Sequence, residues 1–462
     1  MKKNQVFFFC WLLTWTAACL FILHIWDGVG DHADGLMHYM FARYAHLHPA
    51  NFLDPWAKTG YTLLAWPFAQ WGLKGVMLLN ILCAGTCMWL VYRICQQLKI
   101  KQAWIAPVIL SLSTYYVELL FSGLTEHAFS LVLTLAVFCL LRNRWMLGSL
   151  ILSTLPFFRQ EGYIIMVALL PFYIYRGKLI YIPLLAVSFV LVAITGGIYY
   201  SDLFWIVRSN PYALHQSYGS GHWWDFCIKL YYSIGFVNLV LFIVGVVMML
   251  AVYTRSGFTK NQPFILAVFL PFFFFFTAHS AFWALGIFHS MGLQRVLNCV
   301  TPLMAVIAAY GATSLAGMFP SRIRNIVVVL TGLLVLIFPF TSSPSSIGRK
   351  DAFKKTEFES MLKDVCQHVK FDYPDRYLYF EHPMVPYFYQ VDPFDPAVSS
   401  RLFLLDLGHL KPGALIFWEN GLTPGQSGIT KEQLETDPHL SKVLEVYTTD
   451  QKNNLVVYQA DQ

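Results

Sequence analysis

From Val6 to Phe340 the chain repeats one pattern: a long apolar run closed by a short polar or basic connection. Runs of about 18 or more residues with few charges are the mark of membrane-crossing helices. The pattern predicts spans at 6–26, 74–95, 104–121, 125–141, 146–158, 162–175, 179–199, 233–253, 263–282, 296–317 and 325–341. The runs at 146–158 and 162–175 are short and depend on a tight turn at Arg159, Gln160, Glu161 and Gly162. Lys2 and Lys3 precede the first run, which is long and has no small-x-small cleavage pattern behind it, so it is expected to be a retained span. Two long connections, 27–73 and 200–232, interrupt the series. In the first, a helix over 38–47 beginning near Asp31 has an amphipathic pattern. The stretch Gly60–Trp71 is apolar but too short to span, which suits a helix lying in the membrane interface.

After Thr341 the pattern changes. Ser342–Arg349 reads as a Ser/Pro/Gly linker, and residues 350–462 carry ordinary charge density. An amphipathic helix over 353–369 and strands near 376–381, 414–418 and 454–458 predict a small α/β domain. The expected fold is thus an α-helical polytopic membrane protein of roughly eleven spans. A membrane domain over 1–341 is followed by an extracytoplasmic α/β domain over 342–462. Internal repeats, Walker loops and GxGxxG phosphate loops are absent from the sequence.

Composition agrees. Only 13% of residues are charged and 57% are hydrophobic, against about 25% charged in soluble domains. The net charge of +6 needs no nucleic acid to explain it, because the excess Lys and Arg sit in short loops, where they set orientation. Taken alternately, the connections with Lys2 and Lys3, Arg93 with Lys99 and Lys101, Arg142 and Arg144, Arg176 and Lys178, Arg255 and Lys260, and Arg322 and Arg324 are basic, without Asp or Glu. These are expected to face the cytoplasm. The opposite face then holds both long loops, the C-terminal domain and the acidic residues of the membrane half. Seven of the nine cysteines fall in or beside apolar runs and read as small core residues. Cys227 and Cys366 alone are expected outside the hydrocarbon.

Ionisable groups gathered at one membrane boundary are a functional signal. Asp31 and Asp34 follow the first span directly, and on a helix their spacing puts both on one face with His38 a turn further on. Such a pair can serve as general base, hold a divalent cation, or simply cap a helix N-terminus. Arg159, beside Glu161, is suited to gripping phosphate; an Arg–Glu pair closing an interfacial turn accounts for the same residues. Arg295 opens a span on the outer side, against the basic-inside trend. Glu126 opens another, Lys58 precedes the interfacial stretch, and His289, Arg208, His215, Tyr218 and His222 lie in outer loops.

Together these pieces resemble the GT-C superfamily of membrane glycosyltransferases, which includes protein O-mannosyltransferases and lipid A aminoarabinose transferases. The resemblance covers about residues 1–340 and rests on an acidic motif just after the first span and on three local patterns. Residues 54–64, with Lys58, look like the family's Lys-Pro stretch before an interfacial helix. Gly123 to Glu126, then Arg159 to Gly162, are similar to its Thr-Glu and Arg-Pro-Glu-Gly pair, with Gln160 in place of Pro. Gln294 to Pro302 is similar to an Arg-Tyr-x-x-Pro region. The acidic motif departs from the family's Asp-Glu or Asp-x-Asp, so either Asp31 or Asp34 fits its base.

The resemblance implies a polyprenyl-phosphate sugar donor with its phosphate held by Arg295, Arg159 or Lys58. It implies Asp34, or Asp31, as base for an inverting displacement. Glu126, Glu161, His38, Tyr218 and His289 would support them. A divalent metal on Asp31 and Asp34 is compatible with it but not required, and the acceptor (lipid, glycan or protein) is left open. The implied setting is a bacterial inner membrane with the site facing the periplasm. Three rivals share the layout: a flippase or transporter of a lipid-linked or anionic solute, an O-antigen ligase or polymerase, and a non-catalytic assembly subunit. Against transport stand the lack of mid-span carboxylates and of symmetric halves.

Overall fold

The computed structural model describes residues 2–30, 33–211, 219–256, 262–341, 347, 355–405 and 407–461. The Asp31 expectation, the His215 and Tyr218 expectations and most of the 342–349 linker lie outside the described residues. The helices that carry the argument are α1 (Lys2–Ile25), α2 (Ala33–Tyr44), α3 (Thr59–Ala69), α4 (Leu73–Gln97), α5 (Glu126–Leu141), α6 (Gly162–Tyr175), α7 (Phe236–Ser256), α8 (Leu270–Leu285), α9 (Thr301–Gly317), α10 (Glu357–Asp372) and α11 (Met384–Tyr389). The chain forms two compact units. One comprises Met1–Ile25, Phe52–Phe121 and Thr125–Ala352; the other comprises Trp26–Asn51, Ser122–Leu124 and Phe353–Gln462.

The first unit is helical. Among the described residues, six of its helices are long and apolar enough to cross a membrane: Asn4–Ile25, Leu73–Gln97, Leu179–Tyr200, Phe236–Thr254, Gln262–Leu285 and Ser321–Thr341. Glu126–Leu141, Trp145–Phe157, Gly162–Tyr175 and Thr301–Gly317 are shorter apolar helices. The protein is built as an integral membrane protein: a helix satisfies its own backbone hydrogen bonds, which hydrocarbon cannot do for it. α4 and α9 are the central members, buried along most of their length, whereas Leu179–Tyr200 shows almost all of its apolar surface outward. Lipid offers no hydrophobic drive for helices to associate, so close packing of small residues matters most. α7 and α9 show this. A methyl on Gly311 would lie 2.0 Å from the Leu241 carbonyl oxygen, and one on Gly245 2.2 Å from that of Ile307. The two backbones touch because no side chain intervenes.

The run expected as one span over 104–121 is instead three pieces, Ile105–Ser111, Thr114–Glu118 and Leu119–Phe121. The break falls at Ser113, whose backbone is extended and whose hydroxyl donates to the Ile109 carbonyl at 2.8 Å. A serine that bonds the preceding turn offers the backbone an alternative to the helix.

The second unit contains a five-stranded sheet. β1 (Leu378–Phe380), β2 (Ser399–Arg401), β3 (Leu415–Glu419), β4 (Leu440–Tyr447) and β5 (Asn454–Ala460) lie in the order β2-β1-β3-β5-β4. The β2, β1 and β3 ladders are parallel, with Leu378 opposite both Ser399 and Leu415; β5 is antiparallel to β3 and β4. One face packs Tyr379, Ile416, Trp418, Val456 and Tyr458 with Leu402 and Leu434. α10 buries Leu362, Val365, Cys366 and Val369 at helical spacing, and Thr356 caps its start by accepting from the Glu359 N–H at 3.1 Å. All nine cysteines are free thiols.

Candidate functional site

The charged residues of the first unit converge on Arg159. It stands in the turn between the Trp145–Phe157 helix and α6. Its Nη1 donates to Glu126 Oε1 at 2.8 Å and to Thr125 Oγ1 at 3.3 Å; its Nη2 and Nε donate to Glu161 Oε1 at 2.9 and 3.3 Å. Glu126, at the first turn of α5, is fully buried, and Arg295 Nε lies 3.6 Å from the same Oε1. His279 of α8 brings Nε2 to 3.6 Å from Glu161 Oε1. Two guanidiniums and two carboxylates thus interleave at the ends of apolar helices. Their charges balance, as they must where water is scarce: a buried charge survives only when paired. Glu161 shows the balance. Burial is the largest single influence and would raise its carboxyl, but the Arg159 guanidinium, His279 and hydrogen bonds together outweigh burial and hold the carboxyl down at about 2. The other oxygen of Glu126, Oε2, is buried and has no hydrogen-bond partner among the described residues.

Lys58 joins this unit from the first long loop. It is buried and precedes α3 with φ at 69°, in the left-handed region. That conformation is costly for a residue with a Cβ and tends to mark functional sites. α3 starts against the turn that carries Arg159: a methyl on Gly60 would meet the Phe158 ring at 2.9 Å and the Phe157 carbonyl at 3.1 Å. His289, with φ at 53°, stands in the loop before Arg295.

Asp34 and His38 lie on α2, in the second unit. Asp34 is half-buried in the first turn and His38 is buried one turn on. The start of α2 meets residues 122–124 backbone to backbone: a methyl on Gly123 would lie 2.0 Å from the Gly35 carbonyl oxygen. Gly123 stands three residues before Glu126 in the chain. Among the described residues no group of three or more His, Cys, Asp or Glu side chains is placed to hold a metal ion.

Sequence reasoning singled out Arg159, Glu126, Glu161 and Arg295, and the structure brings these four together. His279 was noted in the sequence only as a histidine near Arg295, where an ordinary hydrogen-bonded role is the commoner one, and Thr125 only as part of the Thr-Glu pattern; neither was placed against Arg159 or Glu161, where the structure puts them.

No protein-family model and no curated protein matches the sequence. Solved structures do match in shape. ArnT from Cupriavidus metallidurans bound to undecaprenyl phosphate aligns over 97% of this chain and 98% of its own, at a TM-score of 0.59 and 10% identity. ArnT from the same organism in the apo state aligns over 97% of each chain, at a TM-score of 0.60 and 10% identity. The chain has the ArnT fold. The likeness is one of fold, and at 97% coverage of this chain it runs through the C-terminal sheet as well as the helices.

Proposed function

We propose that this protein is a glycosyltransferase that moves a sugar from a polyprenyl-phosphate donor to an acceptor at the outer face of the membrane. The observation that carries the reading is the buried Arg159–Glu126–Glu161–Arg295 network. It lies at helix ends, in a fold shared with ArnT, a GT-C aminoarabinose transferase. The undecaprenyl phosphate bound to ArnT supplies the donor class. In this reading the lipid tail lies in the bilayer and the sugar phosphate meets Lys58, Arg159 and Arg295. Glu126 and Glu161 hold the guanidiniums in fixed directions, so little reorganisation is needed as charge builds on the leaving phosphate.

Asp34 or Asp31 removes the proton from the acceptor hydroxyl or amine. The freed lone pair attacks the anomeric carbon from the face opposite the phosphate. The bond from that carbon to the phosphate oxygen breaks, its electron pair stays on the polyprenyl phosphate, and the sugar leaves with inverted configuration. The basic loops then face a bacterial cytoplasm and the site the periplasm.

Transfer in proteoliposomes tests the reading. The donors are radiolabelled polyprenyl-phosphate sugars and the acceptors a lysate. Wild type is compared with Asp34→Asn, Asp31→Asn and Arg295→Ala, and an EDTA arm asks whether a divalent ion on the aspartates takes part. Loss of transfer with retained donor binding in one Asp→Asn variant identifies the base. Movement of the lipid-linked sugar across the bilayer without transfer overturns the proposal in favour of a flippase.

A further inference from the structure

Where the Leu179–Tyr200 span ends, the first unit holds a cavity of about 240 Å³ that the transfer mechanism does not use. Asp54, Pro55 and Trp56 line it from the first long loop; Tyr200, Trp205, Ser209 and Pro211 line it from the second. Asp54 is held in one direction, its Oδ1 accepting from the backbone N–H groups of Trp56 and Ala57, each at 2.8 Å. It makes no ion pair among the described residues. Arg208, beside Ser209 in the chain, is matched by Asp202 at 2.9 Å, and Lys58 Nζ donates to the Pro55 carbonyl at 3.5 Å. Trp205 is equally fixed. Its Nε1 donates to the Ala193 carbonyl at 3.0 Å, and its ring lies against Gly196, where a methyl would come within 2.0 Å of it. Tyr200 packs on Trp205, ring centres 5.3 Å apart.

A carboxylate without a counter-ion, among two tryptophans and a tyrosine, suits a cation. Aromatic rings attract an ammonium, and a carboxylate binds it most strongly through a charge-assisted hydrogen bond. Asp54 and the Ser209 hydroxyl can both accept, which fits a primary ammonium with its three N–H donors and not a quaternary one with none. Size and setting narrow the source. Pockets that enclose a whole small molecule run to roughly 300–1,000 Å³; this cavity is smaller and suits a headgroup. It stands at the end of a span that shows almost all of its apolar surface outward, and Leu203, Phe204 and Val207 beside it are exposed. We infer that the cavity binds the ammonium of an ethanolamine phospholipid, whose acyl chains lie against those three side chains and the Leu179–Tyr200 helix. The inference does not rest on the transferase reading: a chain that transfers no sugar still carries this cavity.

Native mass spectrometry of the full chain, delipidated in detergent, tests it. The probes are phosphatidylethanolamine, phosphatidylcholine and phosphatidylglycerol with identical acyl chains, and the competitor is water-soluble phosphoethanolamine. Wild type should bind phosphatidylethanolamine about tenfold more tightly than the other two lipids, as one added charge-assisted hydrogen bond gives. Asp54→Asn keeps an acceptor for the turn and removes the charge, so it should bring phosphatidylethanolamine down to the level of phosphatidylcholine. Lys452→Gln, on an exposed turn of the other unit, should leave the preference unchanged. Phosphoethanolamine should displace the lipid only in large excess, because it lacks the chains. Displacement at equal concentration moves the site to a soluble amine and overturns the lipid assignment. Equal binding of phosphatidylethanolamine and phosphatidylcholine, or a preference that survives Asp54→Asn, overturns the inference. The comparison of lipids on wild type decides it even where the variant does not fold.

Discussion

Replacing Arg159 with Gln asks what its guanidinium does for the buried network. The side chain pairs with Glu126 at 2.8 Å and Glu161 at 2.9 Å, and the three side chains are 15%, 0% and 17% exposed. Removing one partner of a buried pair costs about 3–5 kcal/mol, because the other charge is left without a counter-charge. Glu161 gives a second measure. Its carboxyl sits at about 2 against an ordinary 4.5, which corresponds to about 3 kcal/mol at neutral pH. Arg295 Nε, 3.6 Å from Glu126, keeps part of that residue's compensation, so the lower end is expected, about 3 kcal/mol. Thermal unfolding in nanodiscs reads the loss. Arg159→Gln combined with Glu161→Gln removes one stranded carboxylate and should regain at least half of it. The reasoning is refuted if Arg159→Gln changes stability by less than about 0.5 kcal/mol, the ordinary surface range, or if the double variant is no more stable than the single. Polyprenyl-phosphate binding by the double variant then divides the roles. A stable protein that no longer binds donor lost a ligand contact and not merely a structural pair.

Other outcomes follow from single contacts. Because the Glu161 carboxyl is depressed when folded, the stability it carries is complete above about 4.5 and drains as pH falls toward about 2; Glu161→Gln should flatten that part of the melting-temperature profile. Gly311→Ala places a methyl 2.0 Å from the Leu241 carbonyl oxygen and should cost about 1–3 kcal/mol by forcing α7 and α9 apart, seen as a lower melting temperature. The buried carboxylate of Glu419 accepts from the N–H groups of Gly421, Leu422 and Thr423 and from the Thr423 hydroxyl, at 2.6 to 3.0 Å. Glu419→Ala strands those donors, so it should cost about 2–3 kcal/mol and speed hydrogen exchange at 419–423.

The long apolar helices were legible because hydropathy is set residue by residue and survives any tertiary arrangement. The break at Ser113 was not, because it depends on which carbonyl one hydroxyl chooses. In the sheet, β1, β3 and β5 announced themselves through continuous apolar residues. β2 is three residues, Ser-Ser-Arg, and β4 is an edge strand whose Lys442 and Glu445 pair with each other at 2.9 Å, a pattern that reads as surface loop. In the candidate site, charged residues in apolar surroundings stood out singly, so Arg159, Glu126, Glu161 and Arg295 were all marked. The Arg159–Glu161 pair was legible as the closure of an interfacial turn; the pairing of Glu126 with Arg159 and Arg295 was not, because it joins residues 33 or more positions apart and a lone sequence gives no measure of that distance. The cavity around Asp54 and Trp205 left no local trace, because it is assembled from two loops far apart in the chain.

The free thiols make this molecule its own reporter of sidedness. Seven of the nine are buried, and the two exposed ones differ in setting: Cys10 lies within α1, and Cys227 lies in the Asp225–Ile234 helix that closes the second long loop. A charged maleimide that cannot enter hydrocarbon therefore has a single accessible target in the native protein. Applied to sealed vesicles of known orientation, it marks which compartment holds that loop without an engineered tag.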